Sequence, residues 1–449
     1  MARIRQIVWL TAAVAALGAC GQRIEAPGVT ATVATVSAVA SPCDVALSAD
    51  AAAGDPGLQK LQALVRSRSE KLAHLERLGW AYVSAARRGG DAGFYNLALA
   101  SADCLDEVAA DPVEGLLLRA HVLQQQHRFR DAEQAARQLV ARRGNWMDQA
   151  VLGDALLDQG QLEGAVAAYQ VMADERPGPD AYARIAQVRW LTGDLPGATE
   201  FMTRAARGTD SRDPVGTAWY RARLAQIVLA SGDAEAALAL ARASTALVPT
   251  PAGLATEGRV LLALGRNAEA VIVLEKAADR SGLAEHQWLL AEALDAVGER
   301  ERVAAVEARL RKTGEATDPR TYALFLATRG VTSGTTGSRD IATALRLAHE
   351  ELNRRADVYT EDALAWSMFV AGDASGALEH AQRAVALGTP DARLWLHACL
   401  IAARNGQFRS ARTWLARARA SEALLLPSER QWLRTATTTS SPTTRSTDT

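Results

Sequence analysis

Apolar residues return along this chain at three- and four-residue steps, in paired runs cut by glycine or proline. Between Trp146 and Pro177, Leu152 and Leu156 share one helix face, and Ala165, Tyr169 and Met172 share another. Gly160 stands between the two runs, where glycine can adopt the left-handed conformation that ends a helix, and Pro177 stops the second run. The pattern predicts a helix hairpin. Small Gly153 and Ala165 let its two helices approach closely, while Leu156 and Tyr169 fill the space that remains.

The hairpin is copied. Ala98, Ala132, Ala165, Ala198, Ala237, Ala270, Val303, Ala344, Ala377 and Ala411 follow one another at steps of 34, 33, 33, 39, 33, 33, 41, 33 and 34 residues. Gly160, Gly193, Gly232, Gly265, Gly298, Gly372 and Gly406 each stand five residues before one of them. A period of this length marks one supersecondary unit repeated along the chain, each copy covering its apolar face with its neighbour. The step of 39 reflects a turn-rich connection at 208–216, and the step of 41 a glycine-rich run at 330–338. That run lacks the lysine and the preceding strand of a phosphate-binding loop, so it reads as a solvated loop between two helices.

The repeated residues resemble the tetratricopeptide repeat, with its W-x2-L-G-x2-Y first helix and its A-x3-F second helix. The likeness runs over residues 72–425. Its marks include Leu78-Gly79 with Tyr82, Gly258 with Leu261, Ala270, Leu274 and Ala277, and Trp395 with Cys399, Ala411 and Ala418. Copies at 284–314 and 320–356 depart most, Val303 replacing the small anchor of the first. The resemblance implies an all-α, right-handed superhelical solenoid of about ten tetratricopeptide hairpins within residues 55–425. It also implies a concave groove lined by the first helix of each unit, and a protein or peptide partner held there. The register puts Trp80, His121 and Trp366 at the ninth position, Trp190 at the twelfth and Trp288 at the fifth, with Trp219 and Tyr359 at the second. Gln124, Gln187, Gln226, Arg259 and Glu292 supply the polar company. Such a stripe suits an extended peptide or a partner helix. Aromatic faces also stack on sugars, so a glycan receptor is one alternative; an assembly or piloting factor for an outer-membrane complex is another.

The ends of the chain carry a different message. Arg3 and Arg5 precede an apolar run from Ile7 to Ala19, the pattern of a secretory signal over residues 1–19. Leu17-Gly18-Ala19-Cys20 resembles the bacterial lipobox, which implies lipidation of Cys20, and Gly21 in place of aspartate resembles the outer-membrane sorting class. A lipid-anchored body facing the periplasm is therefore expected, touching the membrane through its lipid alone. Residues 20–54 read as a flexible tether, and the Thr/Ser-rich stretch 426–449 as a disordered tail.

Net charge is −1, and basic and acidic residues alternate as on solvated helix faces, so no field exists to gather a nucleic acid. His349-Glu350-Glu351 lacks the second histidine of a zinc helix, and His397 and Cys399 point to different faces. No nucleophile motif stands out, and neither enzyme activity, metal nor cofactor is expected. An oxidising envelope makes Cys43 and Cys104 a candidate disulfide, stapling the tether to the first hairpin, and leaves Cys399 as an inert buried thiol.

Overall fold

The apolar period is realised as helix hairpins. A computed structural model describes residues 40–67, 70–109, 112–209, 213–333 and 339–439; the signal segment, Cys20 and residues 440–449 lie outside them. Among the described residues all regular structure is helical. Two leading helices, α1 (Pro42–Ala46) and α2 (Pro56–Arg66), precede the hairpins. The first five are α3 (Lys71–Gly89) with α4 (Gly93–Val108), α5 (Val113–Gln125) with α6 (Phe129–Arg142), α7 (Trp146–Asp158) with α8 (Leu162–Glu175), α9 (Pro179–Leu191) with α10 (Leu195–Arg207), and α11 (Pro214–Ala230) with α12 (Ala234–Leu247). Then come α13 (Pro251–Ala263) with α14 (Asn267–Ser281), α15 (Ala284–Ala296) with α16 (Arg300–Thr317), α17 (Pro319–Ser333) with α18 (Arg339–Arg354), α19 (Val358–Val370) with α20 (Ala374–Val385), and α21 (Ala392–Arg404) with α22 (Phe408–Ala420). A last helix, α23 (Pro427–Thr439), follows a 3-10 turn at Glu422–Leu424.

Local chemistry sets the hairpin turns. Gly193 takes φ +80° after α9, and the Asp194 carboxylate next to it accepts the Gly197 N–H at 2.9 Å to start α10. Gly372 and Asp373 repeat the device before α20. Close packing needs small residues as well. A Cβ on Gly258 of α13 would stand 2.3 Å from the Leu274 side chain of α14. The long loop expected at 330–338 is shorter than its sequence suggests: α17 runs through Ser333, with Gly330 against Ile341 and Val370, and 334–338 lie outside the described residues.

The chain divides into two compact units. Among the described residues, one holds those from 40 to 156 together with 163–175, and the other holds 157–162 and those from 176 to 439. The N-terminal unit is built on Leu75, Leu78, Tyr82, Leu105 and Leu118. Its leading segment corrects the expected tether: residues 41–54 are folded onto the first hairpin. Ser41 and Asp44 cap α1 reciprocally, with Pro42 at its first turn. Tyr82 then donates its hydroxyl to the Ala46 carbonyl at 2.7 Å, and Gln62 donates to that hydroxyl at 3.0 Å and to the Ser48 carbonyl at 2.9 Å. In the structure Cys43 and Cys104 form a disulfide, with Cα atoms 4.7 Å apart.

The C-terminal unit curls until its ends meet. The turn after α9 reaches the connection between α20 and α21: the Thr389 hydroxyl donates to the Leu191 carbonyl at 2.7 Å, and a Cβ on Gly193 would stand 2.7 Å from the Gly388 carbonyl oxygen. The expected disordered tail is also corrected. Residues 421–433 lie against α11, α13, α15 and α21, all of them first helices of their hairpins. Leu425, Leu426 and Leu433 are buried there. Pro427 opens α23, and the Glu429 carboxylate accepts the Leu426 N–H at 2.8 Å. Threonine and serine dominate the composition beyond this point and hide a short helix with apolar residues on one face.

Candidate functional site

The first helices of the C-terminal unit face inward, and their side chains meet the segment 421–433. Arg259 of α13 donates to the Leu424 carbonyl at 3.2 Å and to Glu285 at 3.0 Å. The Ser428 backbone N–H and hydroxyl both donate to Glu292 of α15, at 3.1 and 2.9 Å, and Trp288 Nε1 donates to the same carboxylate at 3.3 Å. Arg430 donates to the Leu262 carbonyl at the end of α13 at 3.2 Å. Arg393 of α21 pairs with Glu429 at 2.5 Å and lies over the Trp288 ring at 4.9 Å. Trp366 of α19 is stacked on His397 at 3.9 Å and touches Trp432 at 5.5 Å.

A cavity of about 180 Å³ remains beside this segment. Trp190, Tyr359, Gln226, Arg259 and Trp288 line it, together with Arg223, Arg320, Arg393, Glu285, Asp362 and Asp391. Trp190 Nε1 donates to the Tyr359 hydroxyl at 2.9 Å, joining α9 to α19. Arg223 donates to Gln187 at 2.6 Å and to Gln226 at 2.7 Å and lies 5.4 Å over the Trp190 ring. Gln226 passes the network on to Thr256 at 3.0 Å.

Burial and pairing compete over each carboxyl. Burial raises Glu292, the Arg329 guanidinium only partly opposing it. Burial would raise Glu429 as well, but Arg393 outweighs it and holds that carboxyl below its ordinary value. Arg259 does the same for Glu285. Burial raises Asp391, and it pushes the Tyr359 hydroxyl well above its ordinary value.

Comparison with known proteins finds a family match over part of the hairpins, residues 117–214. The tetratricopeptide repeat model matches residues 117–178 and 150–214. Over residues 117–214 the chain is similar to tetratricopeptide repeats. No curated protein matches it. Among solved structures the chain is similar to a tetratricopeptide repeat protein from Parabacteroides merdae, at 15% identity over 55% of this chain and 94% of that one, with a TM-score of 0.37. It is also similar to human IFIT1, solved as a dimer with PPP-AAAA, at 13% identity over 77% of this chain and 94% of that one, with a TM-score of 0.46.

The tetratricopeptide register therefore groups part of the expected stripe. Trp190, Gln226, Arg259, Trp288 and Tyr359 share the cavity, Gln187 stands behind Arg223, and Glu292 anchors Ser428. These tryptophans do not lie open, as an empty groove would leave them: Trp190 is 4% exposed, Trp288 2% and Trp366 1%. The unit is curled: its own segment 421–433 lies by Trp288 and Trp366, and Tyr359 and Arg223 close over Trp190. Trp219 stands apart, half-buried against Tyr220 at 5.2 Å. Trp80, His121 and Gln124 belong to the N-terminal unit, where Trp80 and His121 rings are 5.3 Å apart and Arg87 reaches His121 at 2.8 Å. Arg223, Arg320, Arg393, Glu285 and Asp391 escaped the register, because charges scattered along helices read as solvated faces. The signal for the three arginines was their place on three first helices, α11, α17 and α21, that are otherwise mainly apolar.

Proposed function

We propose that the chain is a non-catalytic interaction scaffold, anchored through lipid on Cys20 at the periplasmic side of an outer membrane. Its concave face takes a peptide segment of a protein partner. One observation carries this reading: the face already holds a peptide, its own residues 421–433. The Ser428 N–H and the carbonyls of Leu262 and Leu424 supply backbone hydrogen bonds, and Leu425 and Leu426 supply the buried apolar surface. Main-chain bonds with side-chain pockets are how a preformed groove reads an extended or helical segment. A partner offering paired leucines followed by serine and glutamate would meet the same Arg259, Glu292 and Arg393.

In-cell photo-crosslinking tests the reading. A crosslinker is placed at Gln226 or Thr321, in the full chain and in a chain ending at Ala420, with Ile272 on the outer helix α14 as control. One dominant envelope protein is expected from the two inner positions, captured more strongly by the shortened chain, and none from Ile272. Equal capture at Ile272, or no capture at all, would remove the scaffold reading.

A further inference from the structure

The charges around the cavity sort into pairs with two exceptions. Arg259 pairs with Glu285, Arg320 with Asp357 and Arg393 with Glu429, while Asp362 accepts from His397. Among the described residues Arg223 has no carboxylate within ion-pair distance. Its guanidinium is held by two neutral amide oxygens, and its buried Nε makes no hydrogen bond. Among the described residues Asp391 has no cation within ion-pair distance, Arg393 and Arg259 acting on it only from further away. One of its oxygens accepts the Arg393 backbone N–H at 3.1 Å, and the other takes no hydrogen bond from the described residues. Both side chains line the same cavity, yet no ion pair within 4.0 Å joins them.

We propose that this cavity binds a small aliphatic α-amino acid as its zwitterion, the carboxylate taken by Arg223 and the ammonium by Asp391. A partly buried charge without an ion pair is under-compensated, and a ligand carrying one charge would leave the other side chain unanswered. A zwitterion answers both, and its two charges are held at a fixed short separation on one carbon. The rest of the lining suits the side chain: Leu289, Leu324, Leu394, Leu424 and Leu426 form an apolar wall beside Trp288. Size sets the class. A cavity of about 150 Å³ takes a benzene ring, so this one, at about 180 Å³, fits a leucine-sized molecule better than a larger aromatic amino acid. This site goes beyond the peptide reading, but it adjoins that face, shares Arg259 and Trp288 with it, and needs residues 421–433 in place, since Leu424 and Leu426 belong to its wall.

Three ligands with one skeleton test it on the full chain, by titration calorimetry with tryptophan fluorescence as a second readout. They are L-leucine, 4-methylpentanoate, which lacks the ammonium, and 3-methylbutylamine, which lacks the carboxylate. L-leucine is expected to bind, and each single-charge analogue to bind at least about tenfold more weakly, one charge contact having been lost. Arg223→Gln should bring L-leucine down to the level of the amine, and Asp391→Asn, which keeps the helix cap, down to the level of the acid. A variant whose melting curve shows misfolding is set aside, because the three ligands on the wild-type chain decide alone. No heat from L-leucine at millimolar concentration, or an analogue that matches it, overturns the proposal.

Discussion

Replacing Glu429 with alanine is expected to destabilise the C-terminal unit by about 3–5 kcal/mol, the cost of leaving one member of a buried ion pair unpaired. The Glu429 side chain is fully buried, and it answers both the Arg393 guanidinium and the Leu426 N–H. Arg393 keeps only 19% of its side-chain surface exposed and would remain charged beneath the covering segment. Urea unfolding at pH 7 measures the loss. Removing both partners, as Arg393→Met with Glu429→Met, should restore most of it, because two apolar groups leave no charge behind. The effect has a defined pH window. Glu429 is held below its ordinary value in the folded chain, so its contribution is complete above the unfolded carboxylate value of about 4.3 and is lost as pH falls through the lower folded value. The gap between wild type and Glu429→Ala should therefore close in acid. A gap that stayed constant down to pH 3, or one under about 1 kcal/mol at pH 7, would mean that the segment is not seated on Arg393.

Opening the Cys43–Cys104 bridge is expected to cost the N-terminal unit about 2–4 kcal/mol, the usual effect of freeing a cross-linked loop in the unfolded chain. The loop spans 61 residues and ties α1 to α4. Without it the leading segment rests on Tyr82 and Gln62 and their bonds to Ala46 and Ser48. Cys43→Ala with Cys104→Ala should lower the melting midpoint of this unit and admit protease between residues 41 and 54. Cys399 provides the control: burial pushes its thiol up to about 11, and its removal leaves the bridge untouched. An unchanged midpoint in the double variant, with cleavage no faster than in wild type, would show that hydrogen bonds and packing alone hold the segment.

The hairpins were legible in the sequence because a helix face, a glycine turn and a small-residue contact are local, and each recurs with the period. Gly193 with Asp194 announces its turn within two residues, and Gly258 announces a close helix contact within one hairpin. The closure of the C-terminal unit was not legible. It is the sum of small rotations from one repeat to the next, and its result, the bond from Trp190 to Tyr359, crosses 169 residues. The same distance hid what covers Trp288 and Trp366. The signals in the last segment were present but weak: Pro427 at a helix start, then Trp432 and Leu433 amid threonine and arginine. Composition outvoted them. At the other end, Ser41, Pro42 and Asp44 spelled a capped helix that the surrounding alanine, valine and threonine concealed. The arginines of the cavity were visible as residues, but only the closed unit shows which of them meet a carboxylate.

The concave face as a peptide-binding surface, occupied by residues 421–433, is tested most directly in trans. A chain ending at Ala420, with its helical circular dichroism checked, is titrated with a synthetic peptide of residues 421–435. The peptide should bind the shortened chain, the same peptide carrying Glu429→Ala should bind at least about tenfold more weakly, and neither should bind the full chain. A shortened chain that stays helical yet ignores the peptide, or a full chain that binds it equally well, would contradict the account.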